Sequence, residues 1–161
     1  MNNFTLKFLS LIVFCLLFQT SLSFAQDSRL GLFEEHGDIG HVLKPGSVKY
    51  NNVKKTYTIA GSGYNMWFDK DAFHFVWKKV SGDASIAANV KWIGNGGEPH
   101  RKACLIIRQN LDAGSPYADV AFHGNGLTAL QYRDEKDGLT HEIQSNVNAP
   151  NRIKIEKQGN V

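Results

Sequence analysis

Arg108, Tyr117, Asp119, His123, Gln131 and Arg133 recur at every second position within three successive segments of the chain. In extended strands that spacing brings them to one face of a sheet. Two guanidinium groups, an amide and an imidazole on neighbouring strands can hold a polar ligand through planar, charge-assisted hydrogen bonds. The alternative is a solvated sheet face, with cross-strand Arg and Asp pairs contributing a few tenths of a kcal/mol each. Binding is the reading taken here. Trp67 stands beside Asn65, Phe68 and Asp69, and an exposed ring next to amide and carboxylate groups stacks and hydrogen-bonds a sugar. A Trp buried to close the core is the other reading of that position, since aromatic side chains bury large areas.

Other constellations carry less. Glu135-Lys136-Asp137 approaches the paired carboxylates of a glycoside hydrolase. The third acid is missing, however, because Leu139 and Thr140 stand where it would fall, and the segment is a glycine-containing turn. His36, His41, His74, His100, His123 and His141 show no close ligand spacing of the H-x-x-x-H kind. Asp69-Lys70-Asp71 lacks the further acidic and Asn positions of a calcium loop and reads as a solvated turn. The paired glycines lie in turns and do not open helices, so they are not phosphate loops. No catalytic residue, metal ligand or cofactor is assigned.

The elements that position these residues are strands. Ala103, Leu105 and Ile107 alternate with Lys102, Cys104, Ile106 and Arg108, and the same period of two runs through Ala118, Val120 and Phe122 and through Thr128, Leu130 and Tyr132. Asp112-Ala113-Gly114-Ser115-Pro116 and Gly124-Asn125-Gly126 supply the turns. This meander is expected to turn Leu105, Phe122 and Leu130 to the core and the polar set the other way. Further strands are expected at 47–50, 56–60, 73–77, 84–93, 141–145 and 152–157, after an irregular lead-in at 26–44. Nine short strands with regular turns and no helical period predict an all-β, antiparallel β-sandwich.

The chain has 161 residues, 42% hydrophobic and 20% charged, with a net charge of +3. That composition excludes wholesale disorder, and its dispersed basic residues give no nucleic-acid groove. Lys7, the apolar run from Phe8 to Phe18 and the Ser23-Phe24-Ala25 ending predict a signal peptide at 1–25. The run is too short for a membrane span, and Phe14 before Cys15 does not fit a lipoprotein site. Export to the periplasm or beyond follows, with no membrane insertion after cleavage. Cys104 is then the lone thiol, read as a small buried hydrophobe.

The segments NMWFDKDAFHFVWKKVSGD, PHRKACLIIRQNLDAGSPYADVAFHGNGLTALQYR and NAPNRIKIEKQGN resemble the concanavalin A-like, lectin/glucanase-type domain at the N-terminus of some secreted Tol-like proteins, the TolB-related biopolymer transporter class. The resemblance runs from about Gly40 to Val161. It implies a jelly-roll sandwich over 45–161 with several strands more than this chain holds, so the domain reads as truncated at its C-terminus. In that class a β-propeller usually follows the domain. It brings no catalytic residues with it. The expected function is a non-catalytic binding module for a glycan or cell-envelope polymer, with Trp67, Arg108, Asp119, His123, Gln131 and Arg133 as ligand contacts. The contrasting readings are a structural or protein-interaction domain serving other envelope proteins, and a degenerate glycoside hydrolase.

Overall fold

The structure, a computed structural model, describes residues 30–94 and 96–159. The expected signal peptide, and with it what the sequence implies for Cys15 and for export, lies outside those residues. Ten antiparallel strands and no α-helix form among the described residues. A four-stranded sheet, β6 (Lys102–Arg108), β7 (Tyr117–His123), β8 (Thr128–Arg133) and β9 (His141–Gln144), is the central meander. Three two-stranded ribbons surround it. They pair β1 (Glu35–Ile39) with β4 (Phe73–Trp77), β2 (Ser47–Asn51) with β3 (Thr56–Ala60), and β5 (Ala84–Asn89) with β10 (Arg152–Lys157). The molecule is therefore all-β and sandwich-like.

Register follows the alternation. Ala103 lies opposite Phe122, and Leu105 opposite Val120, which faces Leu130 on the next strand. Strand β10 lies against β6 and β7 and buries Ile153 and Ile155, each side chain contributing roughly 1.5–3 kcal/mol by leaving water. Trp92, which follows β5, stacks on Phe122 with ring centroids 5.8 Å apart. The β5–β10 ribbon therefore covers the apolar face of the meander.

Two elements differ from expectation by more than one residue. β1 forms inside the supposed lead-in, although Glu35-His36-Gly37-Asp38-Ile39 has no apolar alternation; it is a strand because β4 offers it a full register of partners. β5 ends at Asn89 instead of reaching Ile93, because its pairing with β10 runs out there.

The larger correction concerns the meander's faces. Asp119, His123, Gln131, Arg133 and Tyr117 are buried, while Leu130, expected in the core, is 41% exposed. Phe122 is buried as expected. The polar set does lie opposite the apolar one, but it is not a solvated surface. What covers it is the connection from β3 to β4, residues 61–72. This strap crosses the polar face and closes on itself through a bridge between Met66 and Asp71 and a bond from Ala72 N–H to Asn65 O of 2.9 Å. Its two ends approach so closely that a Cβ on Gly63 would fall 1.7 Å from the Ala72 carbonyl oxygen, a position that no other residue can take without moving the chain.

Candidate functional site

Arg108, Tyr117, Asp119, His123, Gln131 and Arg133 all project from the strap-covered face of β6, β7 and β8, and Trp67 sits on the strap itself, so the expected residues share one region. Arg133 is 1% exposed. Its Nε donates to Gly138 O (2.8 Å), Nη1 to Asp71 Oδ2 (3.0 Å) and Ser115 O (3.1 Å), and Nη2 to Asp71 Oδ1 (2.8 Å) and Phe68 O (2.6 Å). A guanidinium has five N–H donors, and all five are engaged. Arg133 thus fastens the strap, the β6–β7 turn and the β8–β9 turn together. Arg108 donates from Nε to Asn110 O (2.7 Å) and from Nη2 to Asp112 O (2.5 Å), while its Nη1 lies 3.3 Å from Asp71 Oδ2.

Asp71 is the residue that sequence reasoning misplaced. It was read as part of a solvated turn, yet it is buried between two arginines. Hydropathy could not reveal this, since the partners lie far away in sequence and the strap has no period of its own. The neighbouring Lys70 turns outward to Asp137, so Asp69, Lys70 and Asp71 do not converge on a cation.

Burial shapes the chemistry of the remaining groups. Tyr117 Oη donates to Met66 O (3.2 Å) and lies 3.0 Å from Thr140 Oγ1, and burial raises its phenol well above the ordinary range. His123 Nδ1 donates to Leu127 O (3.1 Å), and burial lowers the ring's proton affinity. Burial pushes the Cys104 thiol well up, with Asp119 beside it adding to the effect. Lys102 donates from Nζ to Asn65 Oδ1 and Met66 O, both at 3.3 Å, and lies 5.4 Å from the Trp67 ring centroid; burial lowers its affinity for a proton.

Asp119 is 0% exposed, and burial raises its carboxyl to about 7. Neither oxygen has a hydrogen-bond partner among the described residues, nor does Oε1 of Gln131, its cross-strand neighbour. A carboxyl left without donors in so buried a place favours its proton, and the Cys104 thiol is the group that lies beside it. Gln131 Nε2 in turn donates to Glu142 Oε2 (2.7 Å), and Gln144 Nε2 donates to Glu142 Oε1 (2.8 Å). Partial burial works to raise the Glu142 carboxyl, but these donors outweigh it and hold it below its usual value.

Burial disfavours the ionised forms of Cys104 and Tyr117 strongly and that of Asp119 less so. What reaches solvent is the outer side of the strap. Tyr64 is 90% and Phe68 52% exposed, with Trp67 half-buried between them. Sequence reasoning singled out Trp67 but missed Tyr64, whose exposure is set by the strap's path and not by any local pattern.

Among the described residues there is no group of three or more His, Cys, Asp or Glu side chains able to hold a metal ion, and no helix long and apolar enough to cross a membrane. Comparison with family models, with curated proteins and with solved structures finds no match to this chain.

Proposed function

We propose that the chain is an exported, non-catalytic binding module of concanavalin A-like, jelly-roll type, periplasmic or extracellular, whose ligand is a glycan or cell-envelope polymer. One observation carries this reading: a five-residue stretch of the strap displays Tyr64, Trp67 and Phe68 at the surface while its backbone is clamped from beneath by Arg133 and Lys102. Large exposed rings are costly to leave in water and mark interaction sites. A rigid platform also loses little conformational freedom when a ligand docks. Faces of sugar rings suit such a platform, and Asn65 sits at its edge.

The contacts divide into two kinds under this proposal. Trp67, Tyr64 and Phe68 touch the ligand, whereas Arg108, Arg133, Lys102 and Tyr117 hold the platform in place, and Asp119, Gln131 and His123 lie buried on the face beneath it. A glycan array followed by titration of the best ligand tests this. Trp67→Ala is expected to weaken affinity at least about tenfold, which is the loss of roughly 1.4 kcal/mol of contact, with the unfolding midpoint little changed. Absence of glycan binding, or affinity indifferent to Trp67 and Tyr64, favours the structural or protein-interaction role among envelope proteins instead.

A further inference from the structure

The β1–β4 ribbon has a second face. Phe73, Phe75 and Trp77 stack along one side of β4, with Arg108 over the Phe73 ring. The other side carries His36, Asp38 and His74, where Asp38 is the register partner of His74 and His36 is its diagonal neighbour. His36 Nδ1 and His74 Nε2 face each other at 3.1 Å, and His74 Nδ1 lies 2.7 Å from Asp38 Oδ1.

Each contact fixes the next. The Gly46 N–H reaches both Asp38 oxygens, at 3.1 and 3.2 Å, and His74 Nδ1 approaches Oδ1 from the other side. An ionised Asp38 only accepts, so His74 carries its proton on Nδ1 and turns a bare lone pair on Nε2 toward His36. The His74 side chain is 2% exposed. Gly46 and Gly61 clamp it, since a Cβ on Gly46 would lie 2.2 Å from His74 Cγ and one on Gly61 3.0 Å from His74 Cβ. The imidazole is thus held in one tautomer and one orientation, with its free nitrogen aimed at a second imidazole on an exposed strand position.

A carboxylate behind a clamped histidine is the arrangement that orients metal-binding imidazoles. Two ring nitrogens bound at about 2.0–2.1 Å to one tetrahedral ion stand about 3.3 Å apart, close to the observed separation. We propose that His36 and His74 form a two-imidazole site for a divalent transition metal of the Cu²⁺ or Zn²⁺ class, with Asp38 orienting His74. The chain supplies two nitrogens and leaves the remaining coordination positions to solvent or to a donor on a bound molecule. Cu²⁺ binds more tightly than Zn²⁺ to such a nitrogen pair. The residue spacing hid the site: His36 and His74 are 38 positions apart and meet only because β1 pairs with β4.

The full chain, untagged and stripped of metal with a chelator, is titrated with CuCl₂ by calorimetry and examined by electron paramagnetic resonance. One ion held by two ring nitrogens is expected. His36→Ala, at an exposed position, is expected to keep the fold, remove one nitrogen from the spectrum and weaken binding at least tenfold. Asp38→Asn retains both nitrogens but weakens binding about ten- to a hundredfold, and His41→Ala changes nothing. The proposal is overturned if the wild type takes up no Cu²⁺ at about 1 mM, or if affinity and spectrum are unchanged in His36→Ala. In the first case the two rings share a proton and nothing else; in the second, the copper sits on other surface histidines. None of these outcomes depends on glycan binding.

Discussion

On one side of the β6–β9 sheet, Phe122 meets the Trp92 ring under a ribbon that buries Ile153 and Ile155. On the other side of the same strands, Tyr117, Asp119, Gln131 and Arg133 are buried as completely, under a strap that contributes backbone carbonyls and the Asp71 carboxylate. The first cover stabilises the sheet by removing apolar area from water. The second does so through the pairing of Arg133, Asp71 and Tyr117 with the strap, since burying an unpaired polar group costs more than its bond returns. The apolar side should therefore tolerate small losses of volume, and the polar side should fail sharply when one partner is removed.

The sharpest break is Arg133→Ala, which leaves Asp71 buried with only Arg108 beside it and frees three carbonyls. It is expected to destabilise the protein by about 3–5 kcal/mol in urea unfolding, as much as Phe122→Ala, at about 3–5 kcal/mol. The double change Arg133→Met with Asp71→Leu should also remain well below the wild type in stability, because it leaves Arg108, whose side chain is 2% exposed, without its carboxylate partner. If it matches the wild type, the buried charges contribute nothing beyond their mutual neutralisation.

Asp119 provides a second test of the polar side. Its folded carboxyl titrates at about 7 against 3.8 for the free group. Between those values the native state keeps a proton that the unfolded chain has lost. Stability is therefore greatest at acid pH and falls as pH rises through that window, by on the order of 4 kcal/mol at most. Asp119→Asn, which has no proton to lose in this range, should flatten this slope in unfolding measured from pH 4 to 8. A slope unchanged by the substitution would place the proton elsewhere.

Smaller effects mark the other side and the surface. Ile155→Val should cost about 0.5–1.5 kcal/mol, a volume loss without any orphaned polar group. Lys70→Ala, which removes a solvent-exposed partner of Asp137, should leave the unfolding midpoint unchanged. A clear shift there would mean that the strap is held at its outer surface as well as from beneath.

Most strands were legible in the sequence because alternation is a local signal, and the meander from Lys102 to Arg133 carries it three times over. The hidden strand β1 shows the limit, since Glu35 to Ile39 is extended only through its partner. The candidate site was half legible. Alternation correctly grouped Arg108, Asp119, Gln131 and Arg133 on one face, but hydropathy assigned that face to solvent. Which side a sheet buries depends on what is laid over it, and the strap's anchoring residues Met66 and Asp71 sit in a stretch with no period. Trp67 stood out by composition alone, while the meeting of His36 with His74 required knowing the register of two strands far apart in sequence.

Main-chain oxygens of Phe68, Ser115 and Gly138 accept from Arg133. A clasp that grips the backbone is indifferent to the side chains it leaves outside. Phe68 illustrates this, its carbonyl held while its ring stands in solvent. The strap's outward residues can therefore be exchanged without loosening the fastening beneath, which makes Tyr64, Phe68 and Asp69 natural places to graft new recognition groups onto an otherwise fixed scaffold.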